Sequence, residues 1–587
     1  MATPSITQLR RHGVHAARAY RMLRRFGWRD AVLFIALIGL LYGALVVAHQ
    51  MRAPFSASQV LEIDLRASAL PGYAARSLAR MFIAFAASLL FTLVYGYVAA
   101  YNARAERVLV PLLDILQSVP VLGFLSVTVT GFMALFPGSL MGLECASIFA
   151  IFTGQAWNMT FSFYHSLKII PRDLTEAATV YQLNWWQRLV KLEIPFSMIP
   201  LVWNGMMSFG GGWFFLAASE AITVLNHNFK LPGIGSYMAA AVDQGNGRAI
   251  AWAIFTMVAL VVLVDQLFWR PVVAWSQRFK LEQTEAGSEP TSAVLNLLSR
   301  STAVGWLDRH VAHRVGRALD RVLGQMVGAA VVRPAGAVAG RAAGALFSTG
   351  LAALALYGLW RGVLEVRTSF TLGMFAHVVY LGLLTLARVA VMVVVASLVW
   401  TPIAVRIGMS ARLSRIAQPI VQIGASFPAN LIFPVVVILF IRMHIGLDWG
   451  SILLLALGTQ WYIVFNVIAG ASAIPTDLRE VSTVFGLRGW TVWRRMILPA
   501  IFPTWVTGAL TAAGGAWNAS IVAEVASWGT HHLKASGLGA YIADATEKGD
   551  WPAIILGIAV MSAMVVAANR IVWRPLYRLA EQRYRLE

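Results

Sequence analysis

The sequence predicts an all-α, polytopic membrane protein of about twelve transmembrane helices arranged as two parallel repeats. Three observations predict it. Of 587 residues, 58% are hydrophobic and only 13% charged, the balance of a membrane protein rather than of a soluble domain. Uncharged apolar stretches recur along the chain, each near the roughly 20 residues that a helix needs to cross a bilayer core. The second part of the chain also repeats the first at a fixed offset, which marks a duplicated structural unit. A β-barrel would show short alternating segments instead, and the sequence has none.

The first apolar stretch, 31–49, reads AVLFIALIGLLYGALVVAH with no charge before its terminal histidine. Seven arginines precede it (Arg10, Arg11, Arg18, Arg21, Arg24, Arg25 and Arg29), which by the positive-inside rule places the N-terminus in the cytoplasm. The formal charge of +20 is therefore mainly topological, and no nucleic-acid partner is expected. The stretch is long and lacks a small-residue cleavage site, so it is expected to be a retained helix and not a signal peptide. Further spans are expected at 78–101, 108–134, 142–166, 194–222, 248–273, 344–361, 380–404, 417–441, 450–471, 498–527 and 551–574,. An even number returns the arginine-rich tail RPLYRLAEQRYRLE to the cytoplasm,. The chain thus divides into a basic N-terminus (1–30), a first half (31–275), a basic linker (276–343) and a second half (344–587). The linker contains LDRHVAHRVGRALDRVLGQM, either a basic amphipathic helix lying on anionic lipid headgroups or a solvated linker helix. Cys145 is the only cysteine, which excludes an intramolecular disulfide and a cysteine-based metal cluster.

An ungapped offset of 304 aligns Glu176 with Glu480, Trp186 with Trp490, Pro195 with Pro499, Gly210 with Gly514, Trp213 with Trp517, Glu220 with Glu524, Gly233 with Gly537, Gly235 with Gly539 and Tyr237 with Tyr541. Upstream, an offset of 308 aligns Leu78-Ala79-Arg80 with Leu386-Ala387-Arg388, and Ser118 and Pro120 with Ser426 and Pro428. Copies separated by an even number of spans share one orientation and can enclose a pathway at their interface.

Each copy carries one distinctive cytoplasmic loop, PRDLTEAATVYQLNWWQRLVKLEIPFSMIP in the first and PTDLREVSTVFGLRGWTVWRRMILPAIFP in the second. Both open on Pro, place Asp two residues on, and re-enter apolar sequence at Ile-Pro or Leu-Pro, the pattern of a short surface helix suited to docking a soluble partner. The loops resemble the EAA signature of binding-protein-dependent ABC importer permeases, Glu-Ala-Ala followed by a glycine and an Ile-x-Leu-Pro. Glu176-Ala177-Ala178 matches the start, with Gln182 at the glycine position; the second copy keeps Gly486 and Leu498-Pro499 but reads Glu480-Val481-Ser482. The resemblance covers roughly 75–275 and 383–580. WFFLAASEAI and WNASIVAEVAS, followed by PGIGSYM and SGLGAYI, are similar to segments of nitrate, sulfonate and taurine permeases.

What the resemblance implies is two type I ABC importer permease folds in one chain, in a bacterial inner membrane. It implies two ATP-binding subunits, docked at Asp173, Glu176, Ala177, Ala178 and Gln182 and at Asp477, Glu480, Val481, Ser482 and Gly486. It further implies an extracytoplasmic solute-binding protein and a small, anionic solute. The chain has no GxxxxGK[ST] phosphate loop and no Gly-Lys pair, so no cofactor is expected in it and ATP and Mg are assigned to the partner ATPase. No catalytic grouping is expected.

Polar residues within spans are candidates to line the pathway: Gln117, Ser118, Gln155, Asn158, Gln460, Asn518 and Ser520, together with Glu220 and Glu524. The neutral ones equally suit bridging between helices. The two glutamates equally suit a structural hydrogen-bonding role, since carboxylates would repel an anion. Trp213 and Trp517 read as packing anchors, and Gly210–Gly212 and Gly514-Gly515 as points of close helix approach. His227, His531 and His532 beside Lys230 and Lys534 suit contact with a docking protein or headgroups, and no metal site is expected. The rival readings are an ion-coupled secondary transporter, which would need ionisable residues deep in the spans, and a membrane-embedded structural or signalling subunit.

Overall fold

The computed structural model describes residues 62–224, 227–280, 371–528 and 531–584 together with a few isolated positions. The N-terminal 1–30, the spans at 31–49 and 344–361, and nearly all of the 276–343 linker lie outside the described residues. The described chain is helical apart from two short hairpins. It divides into two compact units: a smaller one whose described part is 165–203 and 263–280, and a larger one holding the rest.

The first copy runs α1 (Leu70–Tyr101), α2 (Ala103–Ser118), a 3-10 turn (Val121–Phe124), α3 (Leu125–Leu135), α4 (Met141–Lys168), α5 (Arg172–Val180), α6 (Ile194–Glu220), a β1–β2 hairpin (Ala221–Val224 with His227–Lys230), α7 (Ile234–Asp243) and α8 (Gly247–Val264). The second copy repeats it as α9 (Leu372–Gly408), α10 (Ala411–Ser426), a 3-10 turn (Ala429–Leu431), α11 (Phe433–Met443), α12 (Leu447–Ser472), α13 (Thr476–Val484), α14 (Leu498–Ala523), β3–β4 (Val525–Trp528 with His531–Lys534), α15 (Leu538–Lys548) and α16 (Trp551–Ala568).

Correspondence extends to local backbone. Asn102 and Ser410, equivalent by the 308 offset, cap α2 and α10 by accepting the N–H groups of Ala105 and Leu413, satisfying donors that a helix start leaves open. Wide π turns occur at Leu189–Glu193 and Trp493–Ile497, and again at Asp265–Trp269 and Asn569–Trp573, each pair 304 residues apart.

Six described helices are long and apolar enough to cross a membrane, or seven if one bent pair counts as a span. The expected spans 108–134 and 417–441 are not continuous helices. The first is α2 and α3 meeting at 86°, and the second breaks at Phe427-Pro428 before the 11-residue α11. Pro120 and Pro428 supply no N–H and disfavour helix in the residue before them, so each ends the helix behind it. The expected spans 194–222 and 498–527 are shorter than predicted, because the chain leaves the helix after Glu220 and Ala523 and turns into the hairpins.

The core of the larger unit is aliphatic and close-packed, with Val437, Leu454, Ile463, Ala509, Ala516 and Met561 fully or almost fully buried. Small residues permit the close approach. A Cβ on Gly508 would lie 2.8 Å from the Tyr462 carbonyl, and one on Gly408 would lie 2.6 Å from the Ile468 carbonyl, the membrane-helix pattern of small residues where backbones meet.

Candidate functional site

The two predicted docking loops share one backbone design. In the first, α5 closes with Leu183 N–H donating to Ala178 O (3.0 Å) and Gln182 N–H donating to Thr179 O (3.0 Å). In the second, α13 closes with Leu487 N–H donating to Ser482 O (2.9 Å) and Gly486 N–H donating to Thr483 O (3.0 Å). This six-to-one closure requires a left-handed residue just past the helix. Gly486 adopts it at φ 63° without penalty, and Gln182 adopts it at φ 52° despite its side chain,. The turn therefore survives the loss of the glycine. Ala178 and Ser482 are buried beneath their helices, while Asp173, Glu176, Ala177 and Gln182, and Asp477, Glu480, Val481 and Gly486, are exposed. Large apolar side chains stand out beside them: Val180 and Tyr181 in the first loop, Val484 and Phe485 in the second.

At the hairpin end of each copy lies a buried ion-pair network. Arg80 of α1 is wholly buried and holds two carboxylates. Its Nε and Nη2 donate to Glu144 of α4 (2.5 and 2.7 Å), and its Nη1 donates to Glu220 at the end of α6 (2.7 Å). Glu220 also accepts from Ser77 Oγ (2.6 Å) and from Gly235 N–H at the start of α7 (2.7 Å), while Ser77 Oγ accepts Ile234 N–H (3.0 Å). A buried charge costs several kcal/mol unless paired and fully hydrogen-bonded, and this network meets that condition.

The second copy rebuilds it. Arg388 Nη1 donates to Glu524 (3.0 Å) and Nη2 to Asp448 (2.7 Å); Glu524 accepts from Thr385 Oγ1 (2.7 Å) and Ala540 N–H (3.1 Å). The repeated glycines follow from this. A Cβ on Gly233 or Gly537 would overlap the carboxylate of Glu220 or Glu524, so only glycine lets the loop pass so close.

A cavity of about 580 Å³ lies between the copies within the larger unit. Its lining is hydrogen-bonding but uncharged, with carboxamides (Gln117, Asn158, Asn204, Asn466, Asn518, Asn569), hydroxyls (Ser208, Thr459, Tyr462, Thr511) and aromatic rings (Trp157, Phe214, Phe215, Phe427, Trp517, Trp573). Along α14 it extends from Thr507 to Ala519, some 18 Å of helix at 1.5 Å per residue.

Of the candidate pathway residues, Gln117, Asn158 and Asn518 line this cavity, and Glu220, Glu524, Gln155, Gln460 and Ser520 make their contacts elsewhere. Glu220 and Glu524 are locked in the ion-pair networks. Gln155 is fully buried and accepts from Ser88 Oγ (3.5 Å), Gln460 accepts Trp400 Nε1–H (2.8 Å), and Ser520 Oγ donates to Trp517 O (2.8 Å). Ser118 ends α2, and its side chain lies outside the described residues, as do those of His227, His531 and His532. Trp213 is buried, and Trp517 is buried while also bordering the cavity. A Cβ on Gly210 would lie 2.8 Å from Ser426 Oγ and one on Gly212 2.5 Å from Gln155 Nε2, whereas Gly514 has open space.

Sequence reasoning missed Arg80, Arg388, Glu144 and Asp448 as a functional group. The signal was present, since Arg80 and Arg388 align at 308 and Glu144 and Asp448 at 304, and an arginine retained twice in an apolar helix calls for a carboxylate.

The comparisons agree with the repeat. The family described as "Binding-protein-dependent transport system inner membrane component" matches residues 75–268 and again 400–586. Similar proteins include the nitrate import permease protein NrtB of Leptolyngbya laminosa, 27% identical over 188 residues, covering 32% of this chain and 64% of that protein. The bicarbonate transport system permease protein CmpB of Synechococcus elongatus is 25% identical over 201 residues, covering 32% and 64%. The putative aliphatic sulfonates transport permease protein SsuC of Escherichia coli is 28% identical over 177 residues, covering 28% and 63%. The chain thus spans a little under two thirds of the length of each of these relatives. With the family matched twice, over more than half of its length, this chain is a duplicated member of the binding-protein-dependent inner membrane transport components, a multi-pass ABC transporter permease.

Proposed function

We propose that the chain forms the whole translocation pathway of an ATP-driven importer for a small anion, with both termini cytoplasmic. One ATP-binding subunit docks on α5 and its loop, another on α13 and its loop, and a solute-binding protein delivers solute on the opposite face. ATP and Mg belong to the docked subunits, and hydrolysis drives alternating access between the copies. The observation that carries this reading is the pair of loops: at matched positions each closes with the same left-handed turn and presents a glutamate beside exposed apolar side chains. Such a surface gains by burial against a partner. The cavity supports the anion assignment in its own way. Amide and hydroxyl donors can hold an anion weakly enough to release it, and no carboxylate among the described lining residues opposes it,. The similar nitrate, bicarbonate and sulfonate permeases favour the same solute class. The test is the double variant Glu176→Arg with Glu480→Arg, reconstituted with the ATPase and the binding protein. It should insert normally yet lose ATP-dependent uptake; full uptake by it would defeat the docking assignment.

A further inference from the structure

We propose that Asn518 and Asn430 form a two-sided latch that closes the cavity between the copies at its hairpin end and must part for the pathway to open there. The proposal rests on the pathway reading above. The bend at Pro120 starts a 3-10 turn whose first N–H, that of Val121, has no partner in its own turn,. It is satisfied from the other copy, donating to Asn518 Oδ1 at 2.7 Å. The equivalent bend at Pro428 is tied in the reverse sense: Asn430 Nδ2 donates to the Phe214 carbonyl at 3.4 Å. Phe214 and Asn518 are equivalent by the 304 offset, so the same two places are joined twice with the polar side chain on opposite partners. Nearby packing is close on both sides, Gly123 against Ile558 and Gly210 against Ser426.

Copies that rock apart at the hairpin end must break the hydrogen bonds that join them there, so both bonds depend on the state of the transporter. They are unequal. Asn518 is fully engaged, since its Nδ2 also donates to Gly514 O (3.3 Å). Asn430 makes the longer bond and leaves its Oδ1 buried without a hydrogen-bond partner, an acceptor unsatisfied in this arrangement and free to gain one in another. Asn518 is therefore the holding side and Asn430 the yielding side.

The experiment uses the complete transporter in proteoliposomes, with Cys145→Ser and the cavity reporter Thr511→Cys. A membrane-impermeant maleimide is added to the face carrying the hairpins, without nucleotide. Asn518→Leu keeps the size of the side chain but removes the acceptor, and labelling should rise about tenfold, the factor that corresponds to about 1.4 kcal/mol. Asn518→Asp keeps the acceptor for Val121 N–H but loses the Nδ2 donor to Gly514 O, so labelling should fall well below that of Asn518→Leu without reaching the parental rate, a partial rescue that simple packing would not give. Asn430→Leu removes the orphaned oxygen and should label no faster than the parent. If Asn518→Leu does not assemble, Asn518→Ala replaces it. Parental labelling by the acceptor-free Asn518 variant that assembles, or labelling of Asn518→Asp as fast as that variant, overturns the latch; fast labelling by Asn430→Leu overturns the ranking of its sides. ATP-dependent uptake is measured separately with the native chain, carrying neither cysteine change, so its absence would count against the importer reading while the nucleotide-free labelling still judges the latch.

Discussion

The two copies bury the same ion-pair design to different depths. Around Arg80 every charged member is sealed, with Glu144 bidentate and almost wholly buried. Around Arg388 the place of Glu144 is taken by a shorter acid, Asp448, whose side chain is 54% exposed and which also accepts Ser536 N–H at 2.7 Å. Losing one methylene moves the acid outward; Arg388 Nε turns to the Asp448 backbone carbonyl (3.0 Å) in place of a second carboxylate oxygen. One network is closed and the other has a wet end. A buried charge stripped of its partner is costly, whereas an exposed one can be rehydrated at little loss. The copies should therefore respond unequally to the same injury.

The largest effect is expected for Arg80→Leu, which strands two carboxylates in the interior and should cost about 3–5 kcal/mol or prevent assembly outright. Arg388→Leu should cost distinctly less because Asp448 already reaches water. Thermal unfolding of the two purified variants compares them directly, and equal losses would mean that burial depth does not govern these networks. Gly233→Ala and Gly537→Ala come next. Each pushes a methyl group into a carboxylate and should cost about 1–3 kcal/mol as overpacking, more at Gly233, where nothing around the acid can yield to solvent. The smallest effects belong to the loops: Gln182→Gly should stabilise the first turn by about 0.5–1 kcal/mol, and Gly486→Gln should destabilise the second by a similar amount. Limited proteolysis of the loops reads both, and a destabilising Gln182→Gly would show that the glutamine side chain contributes something the turn geometry does not reveal.

Much of this was legible in the chain itself. Composition and apolar length gave the helical membrane class, and the ungapped offset gave the duplication. The loops announced themselves by Pro, Asp and Glu at matched positions. What resisted was anything that depends on long-range geometry. Arg80 meets Glu144 and Glu220 across 64 and 140 residues, and no local period records such a meeting. The apolar stretches 108–134 and 417–441 looked continuous because hydropathy is blind to direction; the prolines at 120 and 428 were visible, but that both break the helix, the first with a turn of 86°, was not. Gln155, Gln460 and Ser520 looked like Asn158 and Asn518 for the same reason, since polarity within a span does not say which neighbour a side chain faces.

Asn518 standing where the other copy has Phe214 carries a wider consequence. Two identical subunits around a two-fold axis would have to present either two carboxamides or two phenyl rings at this level. Joining both copies in one polypeptide lifts that constraint, so at this level one flank of the cavity can carry a carboxamide where the other carries a phenyl ring. Covalent fusion thus lets selection tune each flank on its own, a chemical handedness that no homodimeric channel could acquire.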